Sequence, residues 1–389
     1  MASDGGGHAP VLPGGGRAAS RGGAAVRIGI DASSVLDEGT GLENHVLTLV
    51  DAVARFSDHE LVVFVRRKLP RQWDEIQGRL EARCLDTDSQ VLATQVLLRR
   101  AARRARLDVL YCGAKPAPAG YAGTLLVGIH DPIPWMKPDV MGRGAAPWFR
   151  TFHSMSIRHG AHVATPSAVS KGALEALLGL EGRRVHVVGN ALAPWYQRYL
   201  AGAAIERPAV APSAPYFLAV RRIDPRSGLS TVLDAWDDLR RRHPHVRLVL
   251  AGKAGWKAGS WVERARATPG VTMLGEVSAP DLAGLYRHAL GFVTASMHEG
   301  FGLTVLEAMA LGAPVLATGI PPHLEVGGDA ARYFAVGDWT SLSRAMERLV
   351  HDEGERTGRV ARGKARALVF SAERLATRFL EAAEATAGG

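Results

Sequence analysis

From Val26 onward, short runs of β-branched and other apolar residues alternate with longer amphipathic stretches. In the first half "VRIGI", "LVVFV", "DVLYC", "TLLVGI", "AHVATPS" and "VHVVGN" read as strands, and "LENHVLTLVDAVARF" and "AVSKGALEALLG" keep helical spacing. The stretch "YLAGAAIERPAVAPSAP" (199–215) interrupts the alternation with alanines and three prolines, as an interdomain linker does. A second half follows, with strands "YFLAV", "VRLVLAG", "VTMLG", "GFVTAS" and "PVLAT" and helices "STVLDAWDDLRRR" and "APDLAGLYRHA". Alternating strands and helices indicate βα units on parallel sheets. The predicted class is α/β, with two Rossmann-like domains over residues 26–198 and 216–370 and an amphipathic C-terminal segment over 371–389.

Composition narrows the setting. A chain of 389 residues is long enough for two domains with their own cores. Residues 1–25, rich in Gly, Ala and Ser, carry no apolar stretch of the kind a secretory signal needs and read as a disordered tail. No run of about 18 apolar residues free of charge suggests a membrane span. Cys84 and Cys112 are too few for a disulfide framework or a zinc site, so a reducing cytoplasm fits. The net charge of +9 suits an anionic ligand, an acidic membrane surface or nucleic acid. The run "LLRRAARRARLD" (97–108) reads first as a solvated helix face; its alternative is docking on anionic lipid, as a peripheral contact with the inner face of the membrane. Nucleic acid is disfavoured as a partner, because no basic motif rich in aromatic residues accompanies the charge.

The most informative stretch is "SMHEGFGLTVLEAMALGAPV" (296–315), where Glu299 and Glu307 stand in a run otherwise dominated by small and apolar residues. A helix so apolar is mostly buried, and a carboxylate stripped of water without a partner costs several kcal/mol. Glu299 follows a predicted strand, and "GFGL" leads straight into the helix that carries Glu307. In parallel sheets ligands sit at this end of the strands. The glycines admit close approach of backbone amides, and a helix start favours phosphate. A pyrophosphate placed there would leave the two glutamates beside its two ends, where each can accept hydrogen bonds from a sugar hydroxyl.

Glu299 and Glu307 have the E-x(7)-E spacing, and "HEGFGLTVLEAMALGAPVLAT" resembles the donor-site motif of the retaining glycosyltransferases of family four, bacterial mannosyltransferases among them. The resemblance runs from about Val26 to Phe370 through "GIDASS", "HDPIP", "VATPSAVSK", "VVGNAL", "RRIDPRSGL", "LAGKAGW", "GEVSAPDLAGLY" and "GGDAARYF". It implies a GT-B fold: two facing Rossmann-like domains, a cleft between them, and a C-terminal helix that crosses back to the first domain. It also implies that Glu299 contacts the donor sugar, that Glu307 holds the ribose, and that the amides of Phe301, Gly302 and Leu303 face the diphosphate or the sugar. Arg222 matches the arginine that the family presents to the diphosphate, but the accompanying lysine is here Ser227, which leaves Arg226 or Lys253 to supply a second cation. Gly39 and Gly41 match a glycine-rich loop near the donor phosphate and acceptor. His130 matches a histidine beside the sugar ring.

The resulting expectation is a hexosyltransferase acting with retention on a nucleoside diphosphate sugar, GDP-mannose or a UDP-hexose, with a glycan, a lipid-linked sugar or a small molecule as acceptor. Neither a cofactor nor a metal is expected. A sugar-nucleotide epimerase or hydrolase on a related scaffold, and a basic nucleic-acid-binding protein, are the alternatives.

Overall fold

A computed structural model describes residues 25–35, 41–142, 144–180 and 184–388. The expected tail, apart from residue 25, and Gly39 lie outside these described residues. The first domain is built on seven strands: β1 (Arg27–Asp31), β2 (Glu60–Val65), β3 (Leu80–Cys84), β4 (Val109–Cys112), β5 (Leu125–Gly128), β6 (His162–Thr165) and β7 (Val185–Val187). All pair in parallel, in the order β3-β2-β1-β4-β5-β6-β7. The second domain repeats the plan with β8 (Tyr216–Val220), β9 (Arg247–Ala251), β10 (Val271–Gly275), β11 (Gly291–Thr294), β12 (Val315–Thr318) and β13 (Arg332–Phe334), in the order β10-β9-β8-β11-β12-β13. Each sheet reverses its strand order next to its first strand, and there the loops after neighbouring strands part to leave a crevice.

Central strands such as "VLYC" and "GFVT" are buried along their whole length, which is why they read as continuous apolar runs. Two strands escaped the pattern. β3 ("LEARC") is an edge strand whose Glu81 and Arg83 are tied into surface ion pairs, and β13 has only three residues. Edge strands with charged side chains resist pairing with other chains and carry no apolar period.

The GT-B expectation holds, including the crossover. Helix Ala372–Ala387 packs against helix Gly41–Phe56 of the first domain, burying Leu375, Ala376, Phe379, Ala382 and Ala383 in that domain's core. Phe379 meets Tyr111 of β4 edge-on at 5.0 Å. Of the arginine run, Arg99, Arg100, Arg103 and Arg104 lie on helix Leu98–Arg104 and Arg106 follows it with φ near +50°; Leu98 and Ala102 are buried beneath, and Arg99 and Arg103 donate to the carbonyls of Ala119 and Gly120 at 3.1 and 3.2 Å. Among the described residues no helix is long and apolar enough to cross a membrane.

Candidate active site

The loop from Ser296 to Leu303 leaves the end of β11 and enters helix Leu303–Leu311. Gly302 caps that helix with φ near +106°, a backbone conformation that glycine alone adopts without penalty. The helix buries Val305, Leu306, Ala308, Met309, Ala310 and Leu311, while Glu307 is only partly covered. Phe301 anchors the loop by packing edge-on against Phe370 at 5.6 Å. The first amides of a helix have no partner within it, so those at Gly302 and Leu303 start an anion-binding end.

The two glutamates differ in environment. Glu299 is paired with the Arg221 guanidinium and accepts from the Ser296 hydroxyl at 3.0 Å; Arg221 also reaches Ser296. Burial alone would raise the Glu299 carboxyl, but Arg221, the nearby His323 ring and these hydrogen bonds hold it below the usual carboxylate range. Glu307 has no ion-pair partner among the described residues and accepts a hydrogen bond from the Tyr286 hydroxyl at 3.2 Å. Burial pushes it up to about 7, and that bond offsets only part of the rise.

The arginine paired with Glu299 is Arg221, the neighbour of the Arg222 that the resemblance assigns to the diphosphate. Past the end of β8 successive side chains point to opposite sides. Arg222 is exposed and lies along Gly255, where an added Cβ would come within 2.8 Å of its Nε. Arg226 is held by Asp224, at 2.9 Å through both its backbone amide and its guanidinium, and its charge bears on Asp131 and Glu299. Among the described residues, Nε of both Arg221 and Arg226 is buried with no acceptor. Ser227 is buried and donates to the Asp224 carbonyl at 2.7 Å. Lys253 pairs with Glu276 at 2.6 Å in an exposed position and is not brought to Glu299.

The first domain closes over this loop. A Cβ on Gly41, at the start of helix Gly41–Phe56, would lie 4.0 Å from the Leu303 side chain, so these two expected site residues face each other. His130 follows β5 and donates from Nε2 to the Gly113 carbonyl at 2.8 Å. Its ring meets His45 edge-on at 4.5 Å, and burial pushes it down to about 4, which leaves it neutral. The His130 carbonyl and the Asp131 Cβ abut Gly300, where a side chain would collide with that carbonyl. Arg221, Asp131, Ser167, Ser170 and Glu325 all meet at or beside the loop, and none stood out as a site residue in the sequence. The pair Ser167 and Ser170 in "TPSAVSK" has N-cap spacing, which was the available signal.

A separate group, His243, Glu347 and His351, brings three ligating atoms within 4.8 Å of one another. It sits at the C-terminal ends of helices Leu229–Arg242 and Trp339–His351, hence at the opposite edge of the sheet, and Arg242 already holds Glu347 at 2.9 Å.

Two family models match successive parts of the chain: Glycosyltransferase Family 4 over residues 39–194 and Glycosyl transferases group 1 over residues 204–366. The chain belongs to the family-four glycosyltransferases. O-antigen chain mannosyltransferase B of Escherichia coli is 34% identical over 174 residues, 43% of this chain and 45% of that protein. O-antigen chain mannosyltransferase RfbU of Salmonella typhimurium is 26% identical over 233 residues, 57% of this chain and 61% of that protein. The matched stretches thus span about half the length of these relatives. Among solved structures, WaaG, a glycosyltransferase involved in lipopolysaccharide biosynthesis, superposes with TM-score 0.68 at 14% identity, covering 93% of this chain and 100% of that one. Anabaena Alr3699/HepE in complex with UDP and glucose gives TM-score 0.66 at 17% identity, covering 92% and 98%. At these identities the superpositions establish the GT-B fold of this family-four chain.

Proposed function

We propose that the chain transfers a hexose, mannose by preference, from a nucleoside diphosphate sugar to a hydroxyl of a glycan, a lipid-linked sugar or a small molecule, with retention of configuration. The observation that carries the reading is that Arg221 and Arg226, whose buried Nε–H groups have no acceptor among the described residues, both touch the glutamate loop, Arg221 through Glu299 and Arg226 through its carbonyl to the Met297 amide. Buried donors without partners are rare, and a diphosphate would satisfy both. Glu307, carrying no cationic partner among the described residues, is suited to accept from ribose hydroxyls, and Glu299, ionised and fixed by Arg221, from the sugar.

His130 is neutral, and its backbone carbonyl meets Gly300 of the glutamate loop from the first domain, a placement suited to a residue beside the sugar ring. The leaving diphosphate would take the acceptor proton, its growing charge met by Arg221, Arg226 and the helix amides. The reading gives no role to a metal or cofactor and takes the enzyme to work in the cytoplasm. Mannose is favoured because the two curated relatives named above are mannosyltransferases.

The test is a thermal-shift panel of GDP, UDP, ADP and dTDP, followed by turnover of the matching sugar nucleotide with and without a glycan acceptor. Stabilisation by one nucleoside diphosphate and turnover that demands an acceptor are expected. Turnover to free sugar or to an epimer, indifferent to acceptor, would replace the transferase with a hydrolase or epimerase.

A further inference from the structure

Helix Ala168–Leu178 of the first domain begins at the cleft, and its cap is assembled from both domains. Ser167, fully buried, accepts from the Ser170 amide at 3.0 Å. The two preceding amides, those of Ala168 and Val169, donate to Oε1 and Oε2 of Glu325 at 2.9 and 3.1 Å. A carboxylate across the open amides and positive end of a helix is a favourable arrangement. Glu325, however, stands on the short helix Pro321–Gly327 of the second domain.

That short helix is itself firmly held. Arg366 donates to the carbonyls of Glu325 and Val326 at 2.6 and 3.0 Å, and the single Tyr333 O–H is shared between those of His323 and Gly328. The same helix start in the first domain grips the glutamate loop directly. Ser167 Oγ donates to the Gly300 carbonyl at 2.8 Å, and Ser170 Oγ lies 3.1 Å from the same oxygen. Gly300 immediately follows Glu299 and rests on the His130 carbonyl, leaving no room for a side chain. One helix start therefore receives two separate pieces of the second domain: the carboxylate of Glu325 and the backbone next to Glu299.

We propose that Glu325, Ser167 and Ser170 form an interdomain clasp that fixes the closed cleft and, through Gly300, sets Glu299 against His130. The three are positioning residues, and the inference rests on the transferase reading above. Without Glu325 the helix amides turn to water and the domains part. The residues assigned to the nucleoside diphosphate, Arg221, Arg226 and Glu307, all belong to the second domain and stay in place.

The test compares the full chain with Glu325→Ala, Glu325→Gln and the double variant Ser167→Ala/Ser170→Ala, each checked for folding by circular dichroism. Titration calorimetry with the preferred nucleoside diphosphate, steady-state kinetics, and small-angle scattering with and without nucleotide are read together. Expected are nucleotide affinity within about twofold of the parent, a kcat at least about tenfold lower for Glu325→Ala and the double variant, and an increased radius of gyration. Glu325→Gln keeps one acceptor and should recover part of both losses. Unchanged kcat and unchanged dimensions in folded Glu325→Ala would overturn the clasp. If the parent binds no nucleotide, the transferase reading fails, and the scattering comparison alone then decides whether the clasp exists.

Discussion

Arg221 and Glu299 form an ion pair across the end of β8 and the loop after β11, with Ser296 bonded to both. Arg221 lies one residue before the arginine that the family motif singles out. An ion pair with side-chain exposures of only 19% and 24% makes each partner depend on the other, since removing one strands a desolvated charge. Arg221→Ala is therefore expected to lower kcat/KM by about 100-fold or more, the scale of a lost charge-assisted contact. Arg222→Ala, at an exposed position, should cost less than about threefold. Initial rates of the two folded variants decide between the assignments, and a severe loss in Arg222→Ala alone would restore the motif-based one.

Glu307 carries the pH signature. Its folded value near 7 lies above the ordinary 4.5, so between these pH values the unfolded chain releases its proton first, and stability falls as pH rises through that window. At about 1.4 kcal/mol per pH unit of displacement, the loss is at most about 3.5 kcal/mol by pH 8. Glu307→Gln should thus be more stable than the parent at pH 8 and nearly equal at pH 4.5, in urea unfolding. Its nucleotide affinity should fall, because the carboxylate that accepts from ribose is gone. An unchanged affinity would remove Glu307 from the ribose site.

The buried histidines act in the opposite sense. Burial holds His130 and His153 near 4 and His45 near 3, all below the ordinary 6.5. The unfolded chain takes up protons at these sites first as pH falls below about 6.5, so stability is lost on acidification from there toward about 4. His153 packs between Trp135 and Phe149, and its Nδ1 has no partner among the described residues. His153→Phe should flatten the acid side of the stability curve, measured as urea midpoints at pH 5 and 7. An undiminished acid loss would point to the other two rings. Because His130 is neutral above pH 5, it should add no limb to the pH profile of kcat between 6 and 8. His130→Ala should lower kcat with little effect on nucleotide binding.

Much of this architecture is visible in the sequence. The buried central strands announce themselves because parallel sheets covered on both faces need unbroken apolar runs, and Glu299 and Glu307 stand out because carboxylates are rare in such surroundings. What the sequence does not display depends on contacts between residues far apart in the chain. Ser167 and Glu325 are ordinary polar residues until the fold sets one domain's helix start against the other's carboxylate. Arg221 and Arg222 are identical in type, and only the folded chain shows which one pairs with Glu299. His243, Glu347 and His351 gather from two helices with no spacing that links all three.

Gly300 offers the most direct test of closure. Its Cα lies against the His130 carbonyl, so the methyl of Gly300→Ala has no space unless the loop or the domain moves. The neighbouring obstacle is backbone, which cannot swing aside as a long side chain would. The second domain can relieve the collision by rocking away from the first. That motion would stretch the bonds from Ser167 and Ser170 to the Gly300 carbonyl. Gly300→Ala should therefore keep nucleotide affinity within about threefold and overall stability within about 1 kcal/mol, because each domain retains its own core. Turnover should fall by about 100-fold or more, since misplacement of a reacting group by about an ångström has that scale of effect. Calorimetry with the nucleoside diphosphate and single-turnover rates on the same preparation separate the two quantities. Equal loss of binding and turnover would mean that the alanine distorts the Glu299 loop itself rather than opening the cleft.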